Sequence, residues 1–222
     1  MSPANLWIKI CGNTSLEDAQ LAAEAGADAV GFVFAPSPRR VTPQEVAAIV
    51  PHLPATLEKI GVFVDASFEE IESAVRTSSL TGVQLHFDAA LELSNQLRAR
   101  FGPDFRILRV VHFASEPTAN APIVMQDPNV DAVLVDSRTA TIVGGTGQSF
   151  DWNLASDTLF QKDNLRMQRL VAAGGLNPEN VAQAIATLHP WGVDVVSGVE
   201  DAPGRKDPAK IRAFIANARS AN

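Results

Sequence analysis

Short apolar runs and amphipathic stretches alternate along the whole chain. Leu6–Cys11, Asp28–Phe34, Lys59–Val64, Gly82–His86, Ile107–Val111, Ala132–Val135, Leu170–Ala173 and Val193–Val196 read as strands. They are short and nearly continuous in Val, Ile, Leu and Ala, as strands buried on both faces must be. Helix starts recur between them. Thr14-Ser15-Leu16-Glu17, Thr42-Pro43-Gln44-Glu45 and Ser67-Phe68-Glu69-Glu70 each set a hydroxyl three residues before an acid, the spacing of a capping box. Ala89–Arg100 reads as a helix broken by Gly102-Pro103, Trp152–Leu159 as a short helix, and Pro208–Ala218 as the last one. Asn177-Pro178-Glu179-Asn180 predicts an N-cap with proline at the first helical position, in a helix running to about Leu188. Residues 112–130 carry only weak signals, and 137–151 are rich in Gly, Ser and Thr and read as a long loop.

Strand–helix alternation without a break in composition predicts a single α/β domain over residues 1–222. Parallel strands need helical crossovers, and eight such units predict a closed (β/α)8 TIM barrel. An open doubly wound sheet is the alternative. Its usual glycine-rich first turn is missing, since the first strand ends in Cys11-Gly12-Asn13-Thr14.

Composition narrows the partners. A formal net charge of −7 argues against nucleic acid. No apolar run is long enough for a membrane span, and the first residues lack the parts of a signal peptide. With 1 cysteine there is no internal disulfide, so the expected setting is the cytoplasm. The histidines are scattered, and no H-E-x-x-H or C-x-x-C occurs, so no metal is expected.

The polar residues at strand ends carry the candidate chemistry. Strands seven and eight run into Gly174-Gly175 and Ser197-Gly198, small residues with free backbone N–H groups, where barrels commonly cradle phosphate. With a side-chain period of two, Cys11 and Asp136 both face the mouth if theirs are the inward faces, one able to accept a proton and one to give it. Blander readings stand beside these. A lone cysteine is often a small core residue, an aspartate after a strand a turn former, a Gly-Gly pair only a tight turn, and Arg39-Arg40 solvated loop charges. Lys9 inside an apolar strand needs a buried partner, and Asp194 on the neighbouring eighth strand is the candidate. Gly144-Gly145-Thr146-Gly147 suits a linker or a substrate-covering loop.

These residues also fall into a known arrangement. Lys9-Ile10-Cys11-Gly12, Gly31-Phe32-Val33-Phe34, Ser37-Pro38-Arg39, Val83-Gln84-Leu85-His86, Val135-Asp136-Ser137, Gly144-Gly145-Thr146-Gly147, Ala173-Gly174-Gly175-Leu176-Asn177-Pro178 and Ser197-Gly198-Val199-Glu200 follow one another in order. In this the chain resembles the phosphoribosylanthranilate isomerase family of tryptophan biosynthesis over nearly its whole length. The resemblance implies a (β/α)8 barrel that carries out an Amadori rearrangement of N-(5-phosphoribosyl)anthranilate without a cofactor. It implies Cys11 as general base and Asp136 as general acid. It implies Arg39 for the anthranilate carboxylate, and Gly174, Gly175, Ser197 and Gly198 for the phosphate. On this reading Asp136 protonates the ring oxygen and the Cys11 thiolate removes the C2 proton, a modest depression of the thiol pKa from roughly 8.5 being enough. Phe87, Arg40, Gln148 and Val196 stand where the family usually has Gly, Tyr, Lys and Ser. Two other readings remain: a different sugar-phosphate barrel enzyme, epimerase or aldolase-like, and an inactive barrel serving as a scaffold or binding protein. A monomer and a homodimer are both compatible with the sequence.

Overall fold

Eight parallel strands close on themselves in the computed structural model, which describes residues 6–86, 91–113, 124, 126–136, 152–160 and 169–221. The strands are β1 (Trp7–Ile10), β2 (Ala29–Val33), β3 (Glu58–Val64), β4 (Gly82–His86), β5 (Arg106–His112), β6 (Ala132–Asp136), β7 (Arg169–Ala173) and β8 (Gly192–Val195). They pair in chain order, and β8 pairs back onto β1 with Lys9 opposite Asp194. The open-sheet alternative is excluded by that closure.

Both faces of these strands are buried, which is why the sequence shows runs rather than alternation. Trp7, Ala29, Ile60, Leu108, Val110, Ala132, Leu134, Val171 and Ala173 form a separate apolar cluster, the barrel interior. Their neighbours Ile8, Val30, Val83, Ile107, Val133 and Val193 belong to the larger cluster under the helices. The period of two thus assigns Lys9, Cys11, Gln84, His86, His112, Asp136 and Asp194 to the inward faces or their continuations.

The helices are α1 (Leu16–Glu24), α2 (Pro43–Ile49), α3 (Phe68–Ser78), α4 (Leu91–Phe101), α5 (Trp152–Ala155), α6 (Val181–Leu188) and α7 (Pro208–Ser220). α5 runs on as a wider π-helical turn over Ser156–Phe160. Helices α2 and α3 start with the predicted reciprocal capping boxes, Thr42 with Glu45 and Ser67 with Glu70. Each such cap is worth about 1 kcal/mol. α1 differs: Ser15 accepts the Asp18 N–H, while the Thr14 hydroxyl donates to the Gly204 carbonyl at 2.6 Å. The distant carbonyl displaces Thr14 from the cap by one residue. α6 begins at Val181, later than predicted, although Asn177 Oδ1 does accept from the N–H groups of Glu179 and Asn180. The intervening residues form a tighter turn before α-helical bonding starts. One feature was not predicted: a hairpin after β8, β9 (Glu200–Ala202) against β10 (Arg205–Lys206). The loop 137–151 with its Gly144–Gly147 segment and Gln148, and Phe87, lie outside the described residues.

Candidate active site

The strand order sets the mouth. Cys11 directly follows β1, Asp136 ends β6, Gly174-Gly175 follow β7, and Ser197-Gly198 follow β8. All lie at the carboxyl ends of adjoining strands, where barrels place their chemistry.

Cys11 is buried at 3 % exposure, its amide donating to the Val195 carbonyl at 2.9 Å. Space for its sulfur comes from β2, because a Cβ at Gly31 would lie 2.5 Å from Sγ. Below it, Lys9 is wholly buried, and its Nζ donates to Asp194 Oδ1 at 2.8 Å and to Gln84 Oε1 at 2.9 Å. The pair inferred from the sequence is therefore present. Lys9 and Cys11 are successive inward positions, and the charged form of each favours the charged form of the other. Burial, the largest effect, works to strip the Lys9 proton, but the charge of Asp194, the charge of Cys11 and the hydrogen bond to Asp194 together outweigh it and hold the ammonium above its ordinary value. Burial pushes the Cys11 thiol up, and Lys9 opposes that only in part. The modest depression expected of this thiol is thus not found in the substrate-free barrel. Desolvation of the thiolate decides the direction.

Arg39 lies beside Cys11, its Cδ 2.8 Å from where a Gly12 Cβ would sit. It is not a solvated loop charge. Its Nε and Nη2 grip the two oxygens of Glu200 at 2.7 and 2.6 Å, a bidentate pair with Glu200 nearly buried. Lys206 completes the cluster: its Nζ donates to the Cys11 carbonyl at 2.6 Å, the Val196 carbonyl at 3.1 Å and Glu200 Oε1 at 3.2 Å. Glu200 and Lys206 stand in stretches that carry the family resemblance, but neither was given a role from the sequence. The available signal was Pro203-Gly204 between them, a hairpin turn. Burial works to raise the Glu200 carboxyl, but the Arg39 hydrogen bond and the Lys206 and Arg39 charges win and hold it below its ordinary value.

The two small-residue turns touch. A Cβ on Gly198 would lie 1.9 Å from the Leu176 carbonyl oxygen, so only glycine lets the turn after β8 sit against the turn after β7. Gly174 and Gly175 have φ of 80° and 66°, the left-handed region that glycine enters without a steric cost. Asn180 Nδ2 donates to the Gly175 carbonyl at 3.0 Å, and Asn180 Oδ1 accepts the Asn177 amide at 2.8 Å. Those bonds fix the first turn from its helix side.

Asp136 is buried at 4 % exposure and stands opposite His112 on β5 and Ala173 on β7. The histidines are less scattered than the sequence suggests. His86 and His112 end neighbouring strands with ring centroids 6.1 Å apart, and Gln84 Nε2 lies 2.9 Å from His86 Nε2. A polar chain therefore runs across the mouth from Asp194 through Lys9 and Gln84 to His86. Among the described residues no group of three His, Cys, Asp or Glu is placed to hold a metal ion, and no helix is long and apolar enough to cross a membrane.

Comparison with known proteins agrees with this arrangement. The family model described as N-(5'phosphoribosyl)anthranilate (PRA) isomerase matches residues 8–217. The N-(5'-phosphoribosyl)anthranilate isomerase of Trichlorobacter lovleyi is 42% identical over 215 residues, covering 96% of this chain and 98% of the relative. The crystal structure of phosphoribosyl anthranilate isomerase from Thermotoga maritima superposes with a TM-score of 0.84 at 38% identity, covering 97% and 99% of the two chains. A crystal structure of a phosphoribosyl anthranilate isomerase in complex with reduced 1-(o-carboxyphenylamino)-1-deoxyribulose 5-phosphate gives a TM-score of 0.81 at 36% identity, with 97% and 99% covered.

Proposed function

The chain belongs to the N-(5'-phosphoribosyl)anthranilate isomerase family, and we propose that it converts N-(5-phosphoribosyl)anthranilate to 1-(2-carboxyphenylamino)-1-deoxyribulose 5-phosphate, a step of tryptophan biosynthesis carried out in the cytoplasm. The observation that carries this reading is the placement of a buried thiol and a buried carboxyl at the ends of β1 and β6, with two touching glycine turns on β7 and β8 between them.

The residues divide the reaction as follows. The amides of Gly174-Gly175 and Ser197-Gly198 receive the phosphate. The Nη1 edge of Arg39 meets the anthranilate carboxylate, its other edge held by Glu200. Asp136, as the carboxylic acid, gives its proton to the ribose ring oxygen while the anthranilate nitrogen lone pair forms the C1=N bond and the C1–O bond breaks. The Cys11 thiolate then takes the C2 proton. The C2–H electrons form a C1–C2 double bond, and the iminium π electrons return to nitrogen. The enolamine so formed tautomerises to the ketone. Electrons only move within the substrate, so the step needs no external oxidant or reductant.

Burial of Cys11 and Asp136 suits both tasks, since each proton then moves in a water-poor mouth. The test is turnover of the purified chain with phosphoribosylanthranilate, followed by loss of its fluorescence with no metal or cofactor added. Asp136→Asn keeps the shape but cannot give a proton as an acid does, and is expected to lose at least about 100-fold in kcat. Near-normal turnover in Asp136→Asn removes that residue as the acid. No turnover by the wild-type chain points to another sugar-phosphate reaction or to a binding role.

A further inference from the structure

The lysine beneath the thiol has no task in the reaction as derived. It is wholly buried on the inward face of β1, one inward position before Cys11. An ammonium has three N–H donors and no acceptor. Two of them go to Asp194 at 2.8 Å and Gln84 at 2.9 Å, which hold the ammonium on the inward face next to the thiol. A cation so placed favours the thiolate over the thiol.

Lys206 likewise spends its donors on the Cys11 carbonyl, the Val196 carbonyl and Glu200. Arg39 is bound to Glu200. Three cations, Lys9, Lys206 and Arg39, are paired with two carboxylates, Asp194 and Glu200, and the buried Asp18 carboxylate accepts the Lys206 amide at 3.2 Å. Across the mouth, β4 brings His86, bonded to Gln84, and β5 and β6 bring His112 and Asp136. The segment of β2 against the sulfur is Gly31 and carries no charge.

We propose that Lys9 is a positioning residue for the base: its ammonium, clamped by Asp194 and Gln84, is the counter-ion of the Cys11 thiolate. Asp194 has two opposed effects. It keeps Lys9 charged, and its own negative charge works against the thiolate. Gln84 fixes the direction of the ammonium and ties it to His86. The inference rests on Cys11 as the base and asks how a thiol so deeply buried ionises at all.

The chain has 1 cysteine, so alkylation by iodoacetamide reports on Cys11 alone. The experiment measures the alkylation rate against pH, with a melting curve and kcat and KM for each variant. In Lys9→Met/Asp194→Asn the pair is replaced without stranding a charge. The alkylation midpoint is expected to rise by about one to three pH units, with kcat falling at neutral pH and recovering as pH is raised, and KM changing little. Lys9→Arg keeps the cation and is expected to hold the midpoint within about one unit of wild type. A merely structural pair would not order the variants by charge. A midpoint within about 0.3 units of wild type in the folded double variant overturns the proposal. If the double variant does not fold, Gln84→Met decides: it loosens the clamp without changing charge, the midpoint is expected to rise, and an unmoved midpoint overturns the proposal. Cys11→Ala separates this from the reading it rests on: full turnover there removes Cys11 as the base, whereas midpoints that do not move refute only the role of Lys9.

Discussion

Gly198→Ala tests whether the contact between two turns is what binds phosphate. The added Cβ would sit 1.9 Å from the Leu176 oxygen, 2.9 Å from its carbonyl carbon and 3.0 Å from Asn177 Cα. Side-chain carbons do not approach other heavy atoms within 3.0 Å, so the turns must part by about 1.1 Å or more. Neither side gives easily. Leu176 is buried and the Asn177 amide is tied to Asn180, while Val199 is wholly buried and accepts the Asp207 amide. Overpacking of this kind costs about 1–3 kcal/mol. For a chain of this length that lowers Tm by about 2–12 °C. The functional loss should be larger, because a misplacement of about 1 Å costs on the order of 100-fold. Phosphate is held in the ground state and the transition state alike, so the loss should appear in KM rather than kcat. Steady-state kinetics on the folded variant read the split. Gly102→Ala is the control: its φ is also positive, at 84°, but nothing lies within 4 Å of the new Cβ. It should lose stability and keep KM. A folded Gly198→Ala with KM within about twofold of wild type would refute the cradle.

Gly175→Asp places a negative charge in the same cradle, at a φ of 66° that aspartate tolerates; KM is expected to rise about tenfold to 150-fold, the loss of one or more charge-assisted hydrogen bonds, with a near-normal melting curve. Cys11→Ala should lower kcat by at least about 100-fold while a non-reactive substrate analogue still binds; a variant that unfolds but whose folded fraction keeps full activity would return the cysteine to a packing role. Glu200 has a folded-state carboxyl held below its ordinary value of 4.5, so its contribution to stability is present above that pH and is lost as pH falls through the lowered folded value. Glu200→Gln should therefore melt lower at neutral pH, with a shallower fall in Tm below pH 4.5 than wild type; parallel Tm curves for the two proteins across that acid range would refute the linkage.

What could be read from the sequence was what local chemistry decides. The strands show as apolar runs because both their faces are buried, and the capping boxes at Thr42 and Ser67 need only residues three apart. Closure of the barrel then made Lys9–Asp194 deducible, because it sets β8 beside β1 in that register. Where a distant group competed, the local rule failed. Thr14 left its cap for the carbonyl of Gly204, 190 residues away. Arg39 reached Glu200 across 161 residues, and Lys206 reached the Cys11 carbonyl across 195.

The thiol shows why the failure matters most at the site itself. A cysteine at a strand end, two residues after a lysine, can be read from spacing alone, and so can the lysine's neighbour on β8. The direction in which that thiol moves cannot, because it is the difference between two large opposing effects. Burial opposes the thiolate, and its depth is fixed by packing that includes the missing side chain of Gly31. The favouring charges come from three separate elements: β1, the loop after β2, and the hairpin after β8. Moving any one of them by an ångström changes the balance while leaving every local pattern in place. The residues of a proton transfer are therefore visible in the chain, but their readiness to react is a property of the closed barrel.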